Sequence, residues 1–166
     1  IELREAGIKL PILLLSLCVP DEFEEIFKND ITPLVFSKEY INLLIKASES
    51  FFSDETKFAV HLAVDTGMGR IGLKYNSPSE CAEEIIRLSE CEKLSVEGVY
   101  THFAVADCDD EENIEYTDRQ EKFILDVYDE LAEKGLKLRH LHFANSATIS
   151  YRNSERSTLA RAGIIM

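Results

Sequence analysis

An arginine follows two glycines in Val64-Asp65-Thr66-Gly67-Met68-Gly69-Arg70-Ile71-Gly72, directly after the apolar run 58–64. That order reads as a buried strand breaking into a turn. Glycines let the backbone approach a ligand and take angles that other residues resist. In parallel α/β folds, ligands sit at the carboxyl ends of the strands. A guanidinium placed there offers a fork of N–H groups that fits a carboxylate or a phosphate. Three more strand ends carry polar residues for which a core strand has no use: Thr101-His102-Phe103-Ala104, His142-Phe143-Ala144-Asn145-Ser146-Ala147 and Arg161-Ala162-Gly163-Ile164. In a parallel sheet these four clusters converge on one rim.

Each residue also has a plainer reading. Arg70 alone fits a surface side chain after a turn. His102 alone fits a hydrogen-bonded core histidine, and Asn145-Ser146 a helix cap. His140 and His142 alternate on one strand face as a metal pair would. No third ligand is in view, and no metal site is expected. Arg161 lies on a nearly apolar strand and demands a partner, because an unpaired buried guanidinium is costly.

Strands and helices alternate around these clusters. Strands are predicted at 10–17, 31–36, 58–64, 94–103, 140–144 and 159–165, with Pro33 near the start of the second. A short acidic helix is predicted at 21–28. Ser37 caps a helix with Ile41, Leu44, Ile45 and Ser48 on one face. Ser77-Pro78-Ser79-Glu80 reads as a capping box before a helix that buries Cys81, Ala82, Ile85 and Ile86. An acidic loop at 107–113 leads into a long helix with Tyr116, Phe123, Val127 and Leu131 on one face and Gly135 near its end. Six strands separated by helices predict a parallel sheet with right-handed crossovers, either a barrel or an open doubly wound sheet.

The 166 residues suffice for one domain with a real core, and 45% of them are hydrophobic. A net charge of −13 repels nucleic acid and anionic membranes, so neither is an expected partner. The longest apolar stretch, 10–19, is too short to span a bilayer. No amino-terminal signal pattern is visible. The four cysteines fit no framework of disulfides, and reduced thiols in a cytoplasmic protein are expected. Position one is Ile, which suggests a piece of something longer.

In order and separation, the four clusters resemble alanine racemase, a family of pyridoxal-phosphate (PLP) enzymes with a (β/α)8 barrel and an appended β domain. Glu2-Leu3-Arg4-Glu5-Ala6-Gly7-Ile8 resembles that family's helix before its third barrel strand, so the likeness spans the chain. It implies an α/β fold, a partial (β/α)8 TIM barrel of parallel strands three to eight with flanking helices. Residues 1–166 would be an incomplete PLP-binding barrel domain, without the first two barrel strands and the carboxyl-terminal β domain. The cofactor implied is pyridoxal 5'-phosphate. Arg70 would reach its phenolic oxygen and the substrate carboxylate. His102 would lie under the ring region and contact Arg161, which would donate to the pyridine nitrogen. Asn145 and Ser146 would line the phosphate pocket, and Gly163 and Ile164 would offer it backbone N–H groups. The activity implied is racemisation of L- and D-alanine by a cytoplasmic homodimer, supplying D-alanine for peptidoglycan. The alternatives are a racemase for serine or another small amino acid, a non-catalytic PLP-binding barrel protein, or a phosphate-binding or structural α/β module.

Three features depart from the family pattern. Many members carry a lysine where Ala63 stands, so chloride or ordered water is expected beside Arg70. The family's PLP lysine and its tyrosine base have no counterpart among these residues. With no catalytic base in this chain, the 166-residue segment alone is expected to be inactive.

Overall fold

The computed structural model describes residues 1–53, 56–152 and 155–166. Five parallel strands lie in sequence order: β1 (Ile12–Leu14), β2 (Ile31–Val35), β3 (Phe58–Ala63), β4 (Leu94–Tyr100) and β5 (His140–His142). A parallel extension pairs β6 (Ala144–Asn145) with β7 (Ala160–Arg161). Parallel neighbours need crossovers, which helices supply. After α1 (Glu2–Glu5) come α2 (Phe23–Lys28), α3 (Lys38–Ser48), α4 (Pro78–Ser89), α5 (Glu111–Glu133) and α6 (Ser146–Tyr151). The sheet curls into half of a barrel, which is the partial (β/α)8 form implied by the sequence.

Strand side chains alternate between two faces. Phe58, Val60 and Leu62 of β3 share one core with Cys81, Ala82 and Ile85 of α4 and Ile124, Val127 and Leu131 of α5. Ala59, His61 and Ala63 therefore take the inner face. Register carries that face across the sheet: His61 lies beside Gly98 and Gly98 beside His140, while Ala63 lies beside Tyr100 and Tyr100 beside His142. The helix starts follow the predicted caps. Ser37 Oγ accepts from Tyr40 N at 3.1 Å, and Ser77 Oγ accepts from Glu80 N at 3.2 Å. The Glu80 carboxylate reaches back to Asn76 N, one residue earlier than the predicted box requires.

Several boundaries differ from the sequence reading. The first strand shrinks from 10–17 to three residues, because β1 is paired on one side only; Leu15 and Leu17 are exposed. The helix predicted at 21–28 begins as a 3-10 turn over Pro20–Glu22. The fourth strand stops at Tyr100, not at 103. Beyond it the carbonyls of Thr101, His102 and Phe103 go to the side chains of Arg161, Gln120 and Asn145. The fifth strand breaks at Phe143, where Ser157 Oγ accepts from the backbone N–H groups of Phe143 and Ala144. The sixth strand contracts to β7. The acidic loop ends earlier than 113, with Asp110 capping α5 through Asn113 N at 3.1 Å. The buried stripe of α5 is Thr117, Gln120, Ile124, Val127 and Leu131, so Tyr116 and Phe123 flank it. Counting apolar residues misses it, because two of its members are polar and hydrogen-bonded.

All four cysteines are free, and Cys18 and Cys81 are buried. Among the described residues no helix is long and apolar enough to cross a membrane.

Candidate functional site

The glycine-rich turn after β3 is held by its own aspartate. Asp65 Oδ1 accepts from Gly67 N and Gly69 N, both at 3.0 Å. This is turn chemistry, which occupies Asp65 as a staple rather than as a base. Gly67 and Gly69 take φ of 141° and 71°, the left-handed side that the sequence predicts for them. Tyr116 of α5 donates to Gly67 O at 2.6 Å and fixes the turn from outside.

Gln120 of α5 ties this turn to the end of β4. Its Oε1 accepts from Ala104 N at 3.0 Å, and its Nε2 donates to Thr66 Oγ1 at 3.1 Å and to His102 O at 3.4 Å. Thr66 Oγ1 also meets Thr101 Oγ1 at 2.8 Å. Gln120 is 1% exposed, and a buried amide is stable only when its polar atoms are matched in this way. The sequence reading missed it; the available signal was a glutamine at helical spacing within an apolar stripe.

Arg161 enters from β7. Its Nη1 donates to His142 Nδ1 at 3.0 Å and to His142 O at 2.9 Å, and its Nη2 donates to Thr101 O at 2.9 Å. Its guanidinium lies over the Tyr100 ring, 5.0 Å from the centroid. The Tyr100 ring in turn stacks on His142 at 5.2 Å. Burial pulls Arg161 down to about 10, so it stays charged near neutrality. The contact expected with His102 is thus made with His142 instead, because register places His142 beside Tyr100. His102 still feels Arg161: burial first, then the charges of Arg161 and Arg70, hold its ring down to about 4. It is a neutral ring at the site.

His102, Asn145, Ser146, Arg161, Gly163 and Ile164 line one cleft of about 310 Å³ with Met68. Arg70 lines a neighbouring void of about 10 Å³, which shares Met68 and His102 with the cleft. Six of the seven predicted site residues therefore come together, and Arg70 adjoins them. Not all are equally available. Asn145 Oδ1 caps α6 through Thr148 N at 2.9 Å, so its side chain serves the plainer of its two readings. Gly163 N donates to Ser146 Oγ at 3.0 Å, which leaves the Ser146 hydroxyl proton free to donate. Ile164 is 98% exposed.

Arg70 is exposed and makes no hydrogen bond or ion pair among the described residues. The anion expected near Ala63 meets an apolar setting: Ala63 is buried with Leu34 and Tyr100 and packed by Phe36 and Ile71. The void beside Arg70 is the size of one water. No group of three or more metal-ligating side chains converges among the described residues.

A phosphorylated pyridine fits what the cleft offers. A guanidinium has five N–H groups. Arg161 spends three on the protein, leaving two in a residue that lines the cleft. The Ser146 hydroxyl and the neutral His102 ring line the same space.

The family model described as "Alanine racemase, N-terminal domain" matches residues 1–166. An alanine racemase of Treponema denticola is 39% identical over the whole chain, which covers 42% of that relative. The solved alanine racemase of Clostridium difficile 630 superposes with a TM-score of 0.84 at 38% identity, over 99% of this chain and 40% of that one. A solved histidine racemase of Leuconostoc mesenteroides superposes at 0.75 with 26% identity, over 98% of this chain and 41% of that one. The chain thus spans well under half the length of the relatives it matches.

Proposed function

This chain belongs to the alanine racemase family, and on that premise we propose that the full-length protein interconverts L- and D-alanine with pyridoxal 5'-phosphate. The observation that carries the proposal is one cleft lined by the Ser146 hydroxyl and by an Arg161 that keeps two N–H groups unspent. When bound, the cofactor supplies a conjugated ring that delocalises the electron pair left by the departing α-proton.

The residues of this chain bind and tune. Arg161 would offer a hydrogen bond to the pyridine nitrogen without surrendering a proton, since its pKa of about 10 lies far above that of a pyridine. A charged guanidinium in that place would leave the ring nitrogen uncharged and so moderate the electron withdrawal that the cofactor supplies. His102, which lines the same cleft, would meet the ring as a neutral partner. The Ser146 hydroxyl and the Ile164 backbone N–H would hold the phosphate, with the Gly163 N–H steadying the Ser146 oxygen to which it donates. Arg70, exposed at the neighbouring void, takes the substrate carboxylate.

Racemisation needs a proton acceptor on each face of the α-carbon. The lysine and tyrosine that serve the family lie outside residues 1–166, so this segment is an incomplete PLP-binding barrel domain and is inactive alone. The full-length protein acts in the cytoplasm as a homodimer, and its D-alanine goes to peptidoglycan. The histidine racemase with the same fold favours one second reading, racemisation of a different amino acid. The test is chiral chromatography of L-alanine incubated with the full-length protein and PLP, with serine and histidine in parallel. D-alanine is expected. Turnover of another amino acid alone selects the second reading, and no turnover with no visible cofactor absorption refutes both.

A further inference from the structure

We infer that His61 is a positioning residue for Arg161: it fixes the tautomer of His142, whose lone pair then receives the guanidinium. The consequence for catalysis rests on the racemase reading, whereas the tautomer rests on geometry alone. A guanidinium has donors only. Arg161 Nη1 is 3.0 Å from His142 Nδ1, so that nitrogen carries a lone pair. The proton of the neutral ring then sits on Nε2, 2.8 Å from His61 Nδ1. His61 Nδ1 must accept it, which puts the His61 proton on its own Nε2. Donation runs one way, from Arg161 to His142 to His61. Reversing the His142 ring would set two N–H groups face to face at Nδ1.

The two histidines meet because nothing stands between them. Gly98 separates β3 from β5 in the ladder, and a Cβ there would lie 2.8 Å from His61 Nδ1. His140 stacks on His61 at 5.4 Å and Tyr100 on His142 at 5.2 Å, so both rings are held in place. His61 is 4% exposed and His142 is fully buried, so water does not compete for these bonds. With His142 locked, three N–H groups of Arg161 stay engaged and the other two keep their aim. A His142 free to turn its proton to Nδ1 would push the guanidinium off His142 and Thr101.

The test uses the full-length holoprotein with ¹⁵N-labelled histidine and reads the ring nitrogens by NMR near neutral pH. His61 and His142 are both expected to show a protonated Nε2 and a bare Nδ1. His61→Leu removes the acceptor; His142 is expected to become a mixture of tautomers and kcat to fall about tenfold, the scale of one orphaned buried donor. KM for alanine is expected to stay within about twofold, since Arg161 does not bind the substrate carboxylate. His61→Gln keeps an acceptor oxygen, so the tautomer and kcat are expected to survive within about threefold. A protonated Nδ1 on wild-type His142 overturns the inference. So does an unchanged tautomer and kcat in His61→Leu. Should that variant fail to fold, the wild-type spectrum and His61→Gln decide. A full-length protein that racemises nothing sinks the racemase reading, while the nitrogen spectrum still decides the tautomer.

Discussion

Acidification should unfold this protein through its inner-face histidines before its carboxylates respond. Burial and the neighbouring His140 hold His61 down to about 4, and burial with the charge of Arg161 holds His142 to about 2. In the unfolded chain both return to about 6.5. Their folded pKa values are depressed, so below about pH 6.5 the unfolded state binds more protons than the folded one, and stability falls with pH. The stability is intact above that value and declines as pH approaches the folded pKa. Each ring contributes about 1.4 kcal/mol per pH unit in this window, or about 2 kcal/mol between pH 7 and pH 5. His102, also held down to about 4, behaves alike, so the three rings together cost about 6 kcal/mol, against a typical total of about 5–15 kcal/mol. The lowered carboxyls, Glu39 at its own backbone N–H, Glu84 beside Lys38, Asp110 beside Asn113 and Asp129 beside Arg156, lose their contribution only at lower pH. The window therefore belongs to histidine. Urea unfolding of the apoprotein at fixed ionic strength measures the effect, and His61→Gln should remove roughly a third of the slope by removing one of three titrating rings. Stability equal at pH 7 and pH 5 to within about 1 kcal/mol would refute the reasoning.

Three further outcomes are expected. Gly98→Ala drives a methyl to 2.8 Å from His61 Nδ1 and 2.9 Å from His140 O, and should destabilise by about 2–3 kcal/mol in thermal melts; a loss under about 0.5 kcal/mol would show that the strands yield freely. Gln120→Leu strands Ala104 N–H and removes the donor to Thr66 and His102 O, so it should cost about 2–4 kcal/mol, and Gln120→Glu, which keeps the acceptor, should cost less. The isolated 166-residue segment exposes Leu10, Leu15, Leu17 and Val19 around the one-sided strand β1 and should self-associate; sedimentation showing a monomer at every concentration would count against this.

The architecture was legible because long signals carry it. Six apolar residues among 58–64, the Ser37 and Ser77 caps and the helical spacing of α3 and α4 all sit where local propensity and packing agree. The four rim clusters were legible as polar residues at strand ends. What failed was local and polar. The α5 stripe slipped by one position because Thr117 and Gln120 are buried by virtue of hydrogen bonds that no hydropathy pattern registers. In sequence His142 stands out only by its alternation with His140, and its service to Arg161 depends on cross-strand register, which a single strand does not reveal. His61 lies unmarked within the apolar run 58–64, and nothing in that run points to its partner.

The strand ends and the site are one construction. A strand that continued through Thr101, His102 and Phe103 would commit their carbonyls to a ladder. Here those carbonyls go to Arg161, Gln120 and Asn145, one each from β7, α5 and the residue that caps α6. Ser157 performs the same service on β5, taking the N–H groups of Phe143 and Ala144. Three segments far apart in sequence are thereby bound to one short stretch of backbone, at the price of ending β4 early. Loosening any one of them frees a carbonyl in the wall of the cleft and shifts His102 with it. Substitutions at Gln120, which lies behind the rim on α5, should therefore disturb the cleft as surely as substitutions at Arg161 within it.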